Sequence, residues 1–506
     1  MRRNFFVLAA CVCLLAFVAC GSRSVSKVAA GTGAEIAPAG SSAFVSVEVG
    51  PALRRWRQVA GLLDRVSGLS GVDQLAGGAC LRSIRAALGT TIDLAVLSAK
   101  GGSHEGVVVM TRPTNMSKAK RALTRGFDEV CAGEILAQIG ARPTKSAQIG
   151  RQSSLPWTTR EVGDWFLLSD SEATLDRFEH EAKNGTLAGS HRFRSAFAAL
   201  PENALVRAYL SGEAVSSAAE DFSGDVSRSV AAKIKPDWVA LSARPTANGF
   251  RLDGAVSGVE ASNAPNSLIG EAPVGSRFAL SFNGSSYGLD KALERLSTDA
   301  KTGPELAQIE TYLGLKPGDL AALARSEIAV FTGKLGPLRE NSIAVDRRTG
   351  RIIGQAGLGL ELRGEGVSET ARKIGKGLPA LASFLKGGAR RISLNGVSAR
   401  ELTLGALRFF IAGADGKMFL SADETVIGRK AKLSSGSPFR AAERALRLPA
   451  ENAGVLFAEL DGAAETASAQ SSRPNGGLGL EDRSALLVYL DVSGSTLRIH
   501  GVLATG

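Results

Sequence analysis

The chain is poor in the residues that build metal centres and that stack on nucleic-acid bases. It has four histidines and five cysteines in 506 residues, and aromatic residues make up only 6%. The histidines are scattered and none stands at ligand spacing from a cysteine, which argues against a zinc-type site. No basic cluster is interleaved with aromatic residues, which argues against binding by base stacking. The sequence therefore predicts no metal, no cofactor and no nucleic-acid partner.

The N-terminal apolar run is too short to be a comfortable membrane span. It covers residues 5–19 and follows a short basic start, so it predicts a signal peptide over residues 1–19. The run ends at Cys20 in a pattern that resembles a bacterial lipobox, with Phe17 where leucine is usual. The resemblance implies that Cys20 is lipidated and anchors the exported chain in the cell envelope. The alternative is an ordinary signal peptide that is cleaved nearby.

The residue after Cys20 bears on which membrane holds the anchor. Gly21 stands there rather than an acidic residue. In an organism with two membranes, this favours the outer membrane, with the protein on its periplasmic or surface face. Residues 20–37 are rich in serine, glycine and alanine, and they predict a flexible tether behind the lipidated cysteine.

Two further cysteines remain once Cys11 and Cys13 leave with the signal peptide. They are Cys80 and Cys131, both in the first half of the chain. An isolated pair in an exported chain favours a disulfide over two free thiols. Closing a loop of this length would restrict the unfolded chain by about 4 kcal/mol.

Composition and length indicate a globular protein of more than one domain. Hydrophobic residues make up 44% and charged residues 22%, and some 485 residues are more than a single core usually holds. The net charge of +11 fits anionic lipid or cell-wall surroundings better than nucleic acid. A solvated surface that reflects an arginine-rich codon bias is favoured over either kind of partner.

Two stretches of the chain resemble each other. Residues 193–212 and 439–462 each run from Phe-Arg through a short helical pattern and Leu-Pro to an apolar strand and a glycine. Other matches keep the same order, with an offset of 235 between Pro38 and Pro273 and of 234 between Leu94 and Ile328. This order predicts a tandem duplication. Its parts are a first module over residues 38–257, a linker over residues 258–272 and a second module over residues 273–506.

Each predicted module mixes helices with strands that alternate on a period of two. Phe278, Leu280 and Phe282 alternate with polar residues, for example. This is typical of an antiparallel sheet with one covered face, so we predict an α+β fold with helices packed on one face of each sheet. A doubly wound nucleotide-binding fold would show continuously apolar strands instead.

A family resemblance rests on four features: the lipobox, the strand that opens after Pro38, the Leu-Pro strand in mid-chain, and the run GLKPGDL at Gly314 that leads to SEIAV at Ser326. Together they resemble the bacterial envelope proteins of domain-of-unknown-function family 3352, over most of the mature chain. These motifs are hydrophobic and turn patterns. The resemblance implies a secreted or membrane-anchored α+β protein without an assigned activity, and it transfers no catalytic residue.

Several short motifs suggest chemistry that their context does not support. Asp491 begins a D-x-S-x-S sequence like that of a metal-binding loop, but too few residues follow, so a hairpin turn is the better interpretation. Ser286 lies in a G-x-S-x-G sequence, with His500 as the only later histidine that could act as its base. Motifs at Ser117, Ser281 and Lys301 have the order found in penicillin-binding proteins, but the last is flanked by helical patterns.

We therefore predict a non-enzymatic envelope lipoprotein with a binding or scaffolding role toward an envelope protein or polymer. The alternative is a carrier of a lipid or another apolar ligand, because an alanine- and glycine-rich sheet can leave a cavity beneath its helices. A serine hydrolase that uses Ser286 is the third hypothesis.

Overall fold

The chain folds as an α+β structure in which antiparallel strands predominate. The structure is a computed structural model that describes residues 31–49, 89–98, 106–120, 158–222, 236–299, 302–332, 343–346, 351–355, 358–459 and 484–504, apart from single positions and pairs within these ranges. Two compact units divide it, the first being Met1–Val259 with Ser495–Ile499 and the second Glu260–Gly494 with His500–Gly506. The division after Val259 falls inside the predicted linker.

The first unit alternates strands with short helices. Its strands are β1 (Ser41–Glu48), β2 (Thr91–Leu97), β3 (Gly106–Thr111), β4 (Thr158–Val162), β5 (Trp165–Ser169), β6 (Val206–Ser211), β7 (Trp238–Thr246) and β8 (Gly249–Ser257). Its helices are α1 (Glu172–Ala182), α2 (His191–Ala198) and α3 (Gly212–Phe222), with 3₁₀-helices at Gly33–Glu35 and Leu187–Gly189. The strand expected after Pro38 is confirmed as β1.

The second unit contains the remaining elements. Its strands are β9 (Ala264–Pro265), β10 (Phe278–Asn283), β11 (Glu327–Thr332), β12 (Ile343–Asp346), β13 (Arg351–Gln355), β14 (Leu358–Arg363), β15 (Gly388–Leu394), β16 (Val397–Leu404), β17 (Leu407–Ala414), β18 (Lys417–Ser421), β19 (Glu451–Asn452), β20 (Gly454–Glu459), β21 (Ala485–Ser493) and the C-terminal β22 (Thr496–Ala504), of which the first four residues are assigned to the first unit. Its helices are α4 (Leu289–Thr298), α5 (Gly303–Leu313), α6 (Asp319–Arg325), α7 (Val367–Phe384) and α8 (Ser437–Leu446), with 3₁₀-helices at Leu268–Glu271, Gly284–Tyr287 and Leu433–Ser435.

The two units arrange their strands in the same order. In the first unit the order is β4-β5-β3-β2-β1-β6-β7, and every neighbouring pair is antiparallel. In the second unit it is β17-β18-β14-β11-β10-β20-β21, again antiparallel throughout. The second unit adds β16 and β15 beyond β17. In the second unit, β9 with β19 and β12 with β13 form separate pairs.

Local sequence signals explain where several elements begin and end. The Ser171 hydroxyl accepts a hydrogen bond from the Thr174 amide at 3.2 Å and so caps the start of α1. Helix α5 carries proline in its first turn and ends at Gly314, whose φ of 67° is the left-handed conformation that glycine adopts without strain. Strands β7 and β8 form a hairpin, in which Thr246 at the end of β7 pairs with Gly249 at the start of β8.

Aromatic side chains form the centre of the first core. The ring of Phe193 on α2 stacks on that of Phe197 with centroids 4.2 Å apart, and it meets Phe44 and Tyr209 edge to face at 5.4 and 5.2 Å. In the second unit Phe439 on α8 meets Phe457 on β20 edge to face at 5.4 Å. The repeated Phe-Arg motif therefore places one buried phenylalanine on the corresponding helix of each core.

In each core a large residue faces a small one across the pair formed by the first two strands of the sheet, but the large residue lies on a different strand in each unit. Phe44 on β1 stands directly opposite Ala95 on β2, whereas Ala279 on β10 stands opposite Phe331 on β11. All four side chains are buried. The strand pairing therefore relates Ala95 to Phe331, an offset of 236, which is two residues more than the sequence match had indicated.

Helices cover both faces of the second unit's sheet, so the prediction of helices on one face is wrong there. Phe439 and Leu446 of α8 pack with Phe331 on one face. Helix α7 packs with Leu362 and Met418 on the other. The strands reveal this by burying residues at both odd and even positions, which a simple alternation does not anticipate.

The predicted tether and linker both contribute ordered residues to a core. Ala34 and Ala37 are fully buried, although residues 20–37 were predicted to be a flexible spacer. Ile269 and Ala272 of the predicted linker are likewise buried in the second core. Small residues suit a spacer, but here they allow close packing. A Cβ atom on Gly33 would lie 2.9 Å from the Cβ atom of Asp93.

Among the described helices, none combines the length and the apolar character needed to cross a membrane.

The exchange of Phe and Ala across the β1–β2 pair gives a test of the shared packing. We expect Phe44→Ala to lower the free energy of unfolding by about 3 kcal/mol, because it leaves a cavity. Adding Ala95→Phe should restore at least about 1 kcal/mol of that loss by filling the space from the opposite strand. Urea unfolding of the wild type, both single variants and the double variant measures this coupling.

The matched control combines Phe44→Ala with Ala240→Phe, since Ala240 is fully buried in the same core but does not face Phe44. Equal recovery in both double variants would contradict the proposed exchange.

Candidate functional site

The sequence-predicted modification sites lie outside the described residues. Cys20, Cys80 and Cys131 are all among the residues whose structure is not described. The lipid anchor and the disulfide therefore stay predictions. The Ser-His-Glu sequence at residues 103–105 also lies outside the described ranges.

Ser286 occupies a 3₁₀-helix rather than an exposed nucleophile turn. The side chain is buried, and its Oγ has no hydrogen-bond partner among the described residues. The flanking glycines have structural reasons, since a Cβ on Gly284 would meet the Ala324 carbonyl oxygen at 1.8 Å and Gly288 has a φ of 62°. His500 lies on β22, with its ring 4.9 Å from that of Tyr489. This geometry lends no support to the hydrolase hypothesis.

The other two motifs also form ordinary structural elements. The D-x-S-x-S sequence spans the end of β21 and the turn before β22, and the Asp491 carboxylate accepts a hydrogen bond from the Asn263 side chain at 2.8 Å. Thr302, in the third motif of the penicillin-binding pattern, directly precedes α5 rather than lying on a strand. The interpretation of Asp491 as part of a hairpin turn is confirmed.

A buried carboxylate holds the first 3₁₀-helix of the first unit. Asp93 on β2 is fully buried, and its Oδ2 accepts hydrogen bonds from the Gly33 amide at 2.7 Å and the Thr91 hydroxyl at 3.1 Å. The Met110 backbone lies directly opposite on β3. Burial raises the pKa of Asp93 to about 6, although hydrogen bonds from Ser46, Gly33 and Thr91 act in the opposite direction.

The second unit holds its own first 3₁₀-helix in a corresponding way. Glu327 on β11 accepts hydrogen bonds from the backbone amides of Ser267, at 2.5 Å, and of Leu268. Its other carboxylate oxygen lies 2.5 Å from the Arg363 guanidinium. Gly33 and Leu268 have corresponding positions. Each is the first residue of a 3₁₀-helix, which precedes β1 in the first unit and β10 in the second.

Further charges join Glu327 in what we call the buried ionic cluster, made of Glu271, Glu327, Glu361, Arg363 and Lys417. Lys417 contacts Glu271 and lies 2.7 Å from Glu361, and Arg363 reaches Glu271 at 3.0 Å. Every carboxylate of the cluster therefore contacts at least one cation. The Glu361 side chain is only 3% exposed and that of Lys417 is 15% exposed.

Burial and pairing compete in setting the pKa values of this cluster. Burial raises the pKa of Glu361 and outweighs the opposing effect of Lys417. For Glu271, burial acts to raise the pKa, but the contacts with Lys417 and the other cations prevail and lower it. Burial likewise acts to lower the pKa of Lys417, and the contacts with Glu271 and Glu361 prevail and raise it.

Asp93 and the buried ionic cluster each hold a backbone segment in place, and neither site was predicted from the sequence. One signal was present, because Asp93 alternates with Ala95 and Leu97 along an apolar strand and so shares their buried face. In the cluster, the carboxylates contact amides and cations of the same unit. Within the described ranges, no three metal-binding side chains are grouped so that they could hold an ion.

Comparisons with known proteins leave the family open. No family model matches the chain, and no curated protein matches it. A solved structure described as "Structure of crystal form I of TP0453" is similar over 47% of this chain and 80% of that chain, at 7% identity and a TM-score of 0.22. At this TM-score the similarity carries no argument about fold or function.

The raised pKa of Asp93 predicts that the first unit loses stability as the pH rises. The folded-state pKa of about 6 lies above the ordinary 3.8, so the contribution of Asp93 is fully present below pH 3.8 and is lost as the pH rises through about 6. The loss amounts to about 3 kcal/mol. Asp93→Asn should abolish this slope, so its unfolding free energy should rise relative to the wild type between about pH 4 and pH 7.

Chemical unfolding at several pH values measures the difference. The exposed Asp164, which pairs with Arg112 at the surface, provides the control variant Asp164→Asn. A difference between wild type and Asp93→Asn that stays constant with pH would contradict the raised pKa.

The buried ionic cluster gives a second prediction about stability. Lys417→Met leaves Glu361 buried without its cation and should cost about 3 kcal/mol at neutral pH. Adding Glu361→Gln removes the stranded charge and should recover most of that loss. Lys432→Met is the control, because Lys432 is half exposed and lies 3.5 Å from Glu271, so its loss should cost less than about 1 kcal/mol. Failure of Glu361→Gln to rescue Lys417→Met would show that the pair is not coupled.

Proposed function

We propose that the chain is a non-enzymatic, lipid-anchored envelope protein whose two modules arose by duplication and bind or scaffold an envelope protein or polymer. The observation that supports this best is the shared order of seven strands in the two units. Seven strands can be ordered in many ways, so independent origins would rarely give the same order. Two related units offer two related surfaces to a partner.

Matching details outside the strand order support the duplication. Isolated bridges pair Pro38 with Thr186 in the first unit and Pro273 with Lys432 in the second. Pro38 lies just before β1, and Pro273 lies just before β10. Together with the amide-to-carboxylate contacts of Gly33 and Leu268, they hold the start of both units in the same way.

The use of the buried charges favours binding over catalysis. Asp93 is engaged by the Gly33 amide, and Glu327 by the amides of Ser267 and Leu268. A catalytic acid or base needs an atom that can reach a substrate. These oxygens instead satisfy backbone groups that would otherwise be buried without a partner.

We also propose membership of domain-of-unknown-function family 3352. The GLKPGDL run forms a helix end, a turn and a helix start: Gly314 follows α5, Gly318 has a φ of 93°, and Asp319 begins α6. The Asp319 carboxylate accepts a hydrogen bond from the Lys316 amide at 2.8 Å. The SEIAV segment that follows enters β11. The motif is therefore a compact structural unit of the kind that a family would retain.

A pull-down from detergent-solubilised envelopes tests the scaffold role. We expect the native protein to recover a partner in near-equimolar amount, and soluble Cys20→Ala protein to bind the same purified partner. Cys20→Ala should also make the protein extractable from the membrane by high salt, because salt does not release a lipid anchor.

Other outcomes would favour a different function or contradict a part of the proposal. A bound lipid that is extracted from the purified protein, with no protein partner, would favour the carrier hypothesis. Labelling of Ser286 by a serine-reactive probe would contradict the non-enzymatic proposal. Cys20→Ala protein that stays in the membrane fraction after a high-salt wash would contradict anchoring by a lipid at that residue.

A further inference from the structure

One stretch of the second unit carries positive charge without any acidic residue. Residues 370–400 contain seven lysines and arginines and no aspartate or glutamate. Two of the cations are paired elsewhere, Lys373 with Asp319 at 3.0 Å and Arg390 with Glu401 at 2.5 Å. The other five make no ion pair with any residue that the structure describes; they are Arg372, Lys376, Lys386, Arg391 and Arg400.

Helix α7 presents part of this charge on an exposed stripe that ends in an apolar tip. Arg372, Lys376, Ala380 and Phe384 follow at intervals of four residues, and all are exposed. The opposite side of α7 packs on the sheet. Phe384 is 60% exposed and the next residue, Leu385, is 46% exposed, the two highest values among the large hydrophobic residues described.

The backbone that carries this tip is held firmly. The Gly387 amide donates to the Ala382 carbonyl at 2.7 Å and the Lys386 amide donates to the Ser383 carbonyl at 3.2 Å, which together form a Schellman motif. The ring of Phe384 stacks on Tyr312 with centroids 4.9 Å apart. The exposure of Phe384 and Leu385 is therefore a property of an ordered turn.

A cation stands where the turn would favour glycine. Lys386 has a φ of 55°, the left-handed position of the Schellman motif that glycine usually fills. Lys386 therefore adopts a strained backbone conformation, and its positive charge lies directly beside Phe384 and Leu385 in the sequence. The negative end of the α7 dipole offsets part of the strain.

Two arginines face each other beside the same helix. Arg391 on β15 stands directly opposite Arg400 on β16, an arrangement of like charges that destabilises a strand pair. Both lie on the face of the sheet that α7 covers, because Ala389 and Leu402 of the same face pack with α7. A Cβ on Gly375 of α7 would lie 3.3 Å from the Arg400 Cγ. An external anion would relieve this repulsion.

We propose that this surface docks on an anionic lipid bilayer. We call it the basic tip and define it by Arg372, Lys376, Phe384, Leu385, Lys386 and Arg391. The apolar pair enters the boundary between headgroups and acyl chains, and the cations stay at the level of the phosphates. An acidic protein would satisfy the charges, but it would not by itself require an aromatic and an aliphatic side chain at the end of the helix.

The proposal does not depend on the lipid at Cys20 or on the scaffold role, and it can be tested without either. The mature chain from residue 21 onward keeps every residue that the structure describes. It is sedimented with vesicles of phosphatidylcholine that contain about 30% phosphatidylglycerol, and with vesicles of phosphatidylcholine alone. We expect binding to the anionic vesicles only, weakening as salt is added.

Two variants separate charge from apolar contact. Lys386→Gly removes a cation and relieves the positive φ, so the fold is retained, and we expect the partition coefficient to fall about fivefold. Phe384→Ser should lower it about tenfold through loss of apolar burial in the bilayer. Far-UV circular dichroism checks that both variants are folded.

Matched variants in the first unit serve as controls. Lys183→Ser removes an exposed cation, and Leu241→Ser removes a leucine that is 39% exposed. Equal binding to both kinds of vesicle, unchanged binding of the tip variants, or equal losses in the controls would each overturn the proposal. So would binding to soluble polyglutamate but not to vesicles, which would assign the surface to an acidic protein. None of these results would bear on the anchor at Cys20.

Discussion

A carboxylate on the second strand of each sheet holds the segment that leads into the unit. The first amides of a short helix have no partner within it, and burying them without an acceptor is costly. Asp93 supplies the acceptor for Gly33, and Glu327 supplies it for Ser267 and Leu268. This segment lies just before the first strand of the sheet, which pairs with the second strand along its length.

The two units satisfy this constraint with different electrostatics. Among the described residues Asp93 has no cation as a partner, and burial raises its pKa to about 6. Glu327 lies two positions earlier in the corresponding strand pairing, and Arg363 neutralises it. Lys417 and Glu361 extend the second arrangement into a network. Two units with the same strand order can therefore keep the contact while differing in their response to pH, because the contact needs only an oxygen that accepts a hydrogen bond.

The interior and the surface of the second unit use charge in opposite ways. Inside, each carboxylate of the buried ionic cluster is matched by a cation. Outside, the cations of the basic tip make no ion pair with any residue that the structure describes, and they stand near Phe384 and Leu385. An exposed charge without a partner costs little in water, so it can be retained for a ligand, whereas an unpaired charge in the core is destabilising. In the proposed function, the tip and a lipid at Cys20 would hold the protein to a membrane through two separate contacts.

The sequence by itself determined strand β10, the hairpin turn at Asp491 and the order of the repeated motifs, because period-two alternation and turn residues act over a few neighbouring positions. It could not set the register between the strands of the two units, since a shift of two residues keeps every side chain on the same face. Only the tertiary structure decided that helices cover both faces of the second sheet, that Ala34 and Ala37 are core residues, and that Asp93 holds Gly33. Each of these features depends on contacts between residues that are distant in sequence, and such contacts cannot be deduced from the residues adjacent to each position.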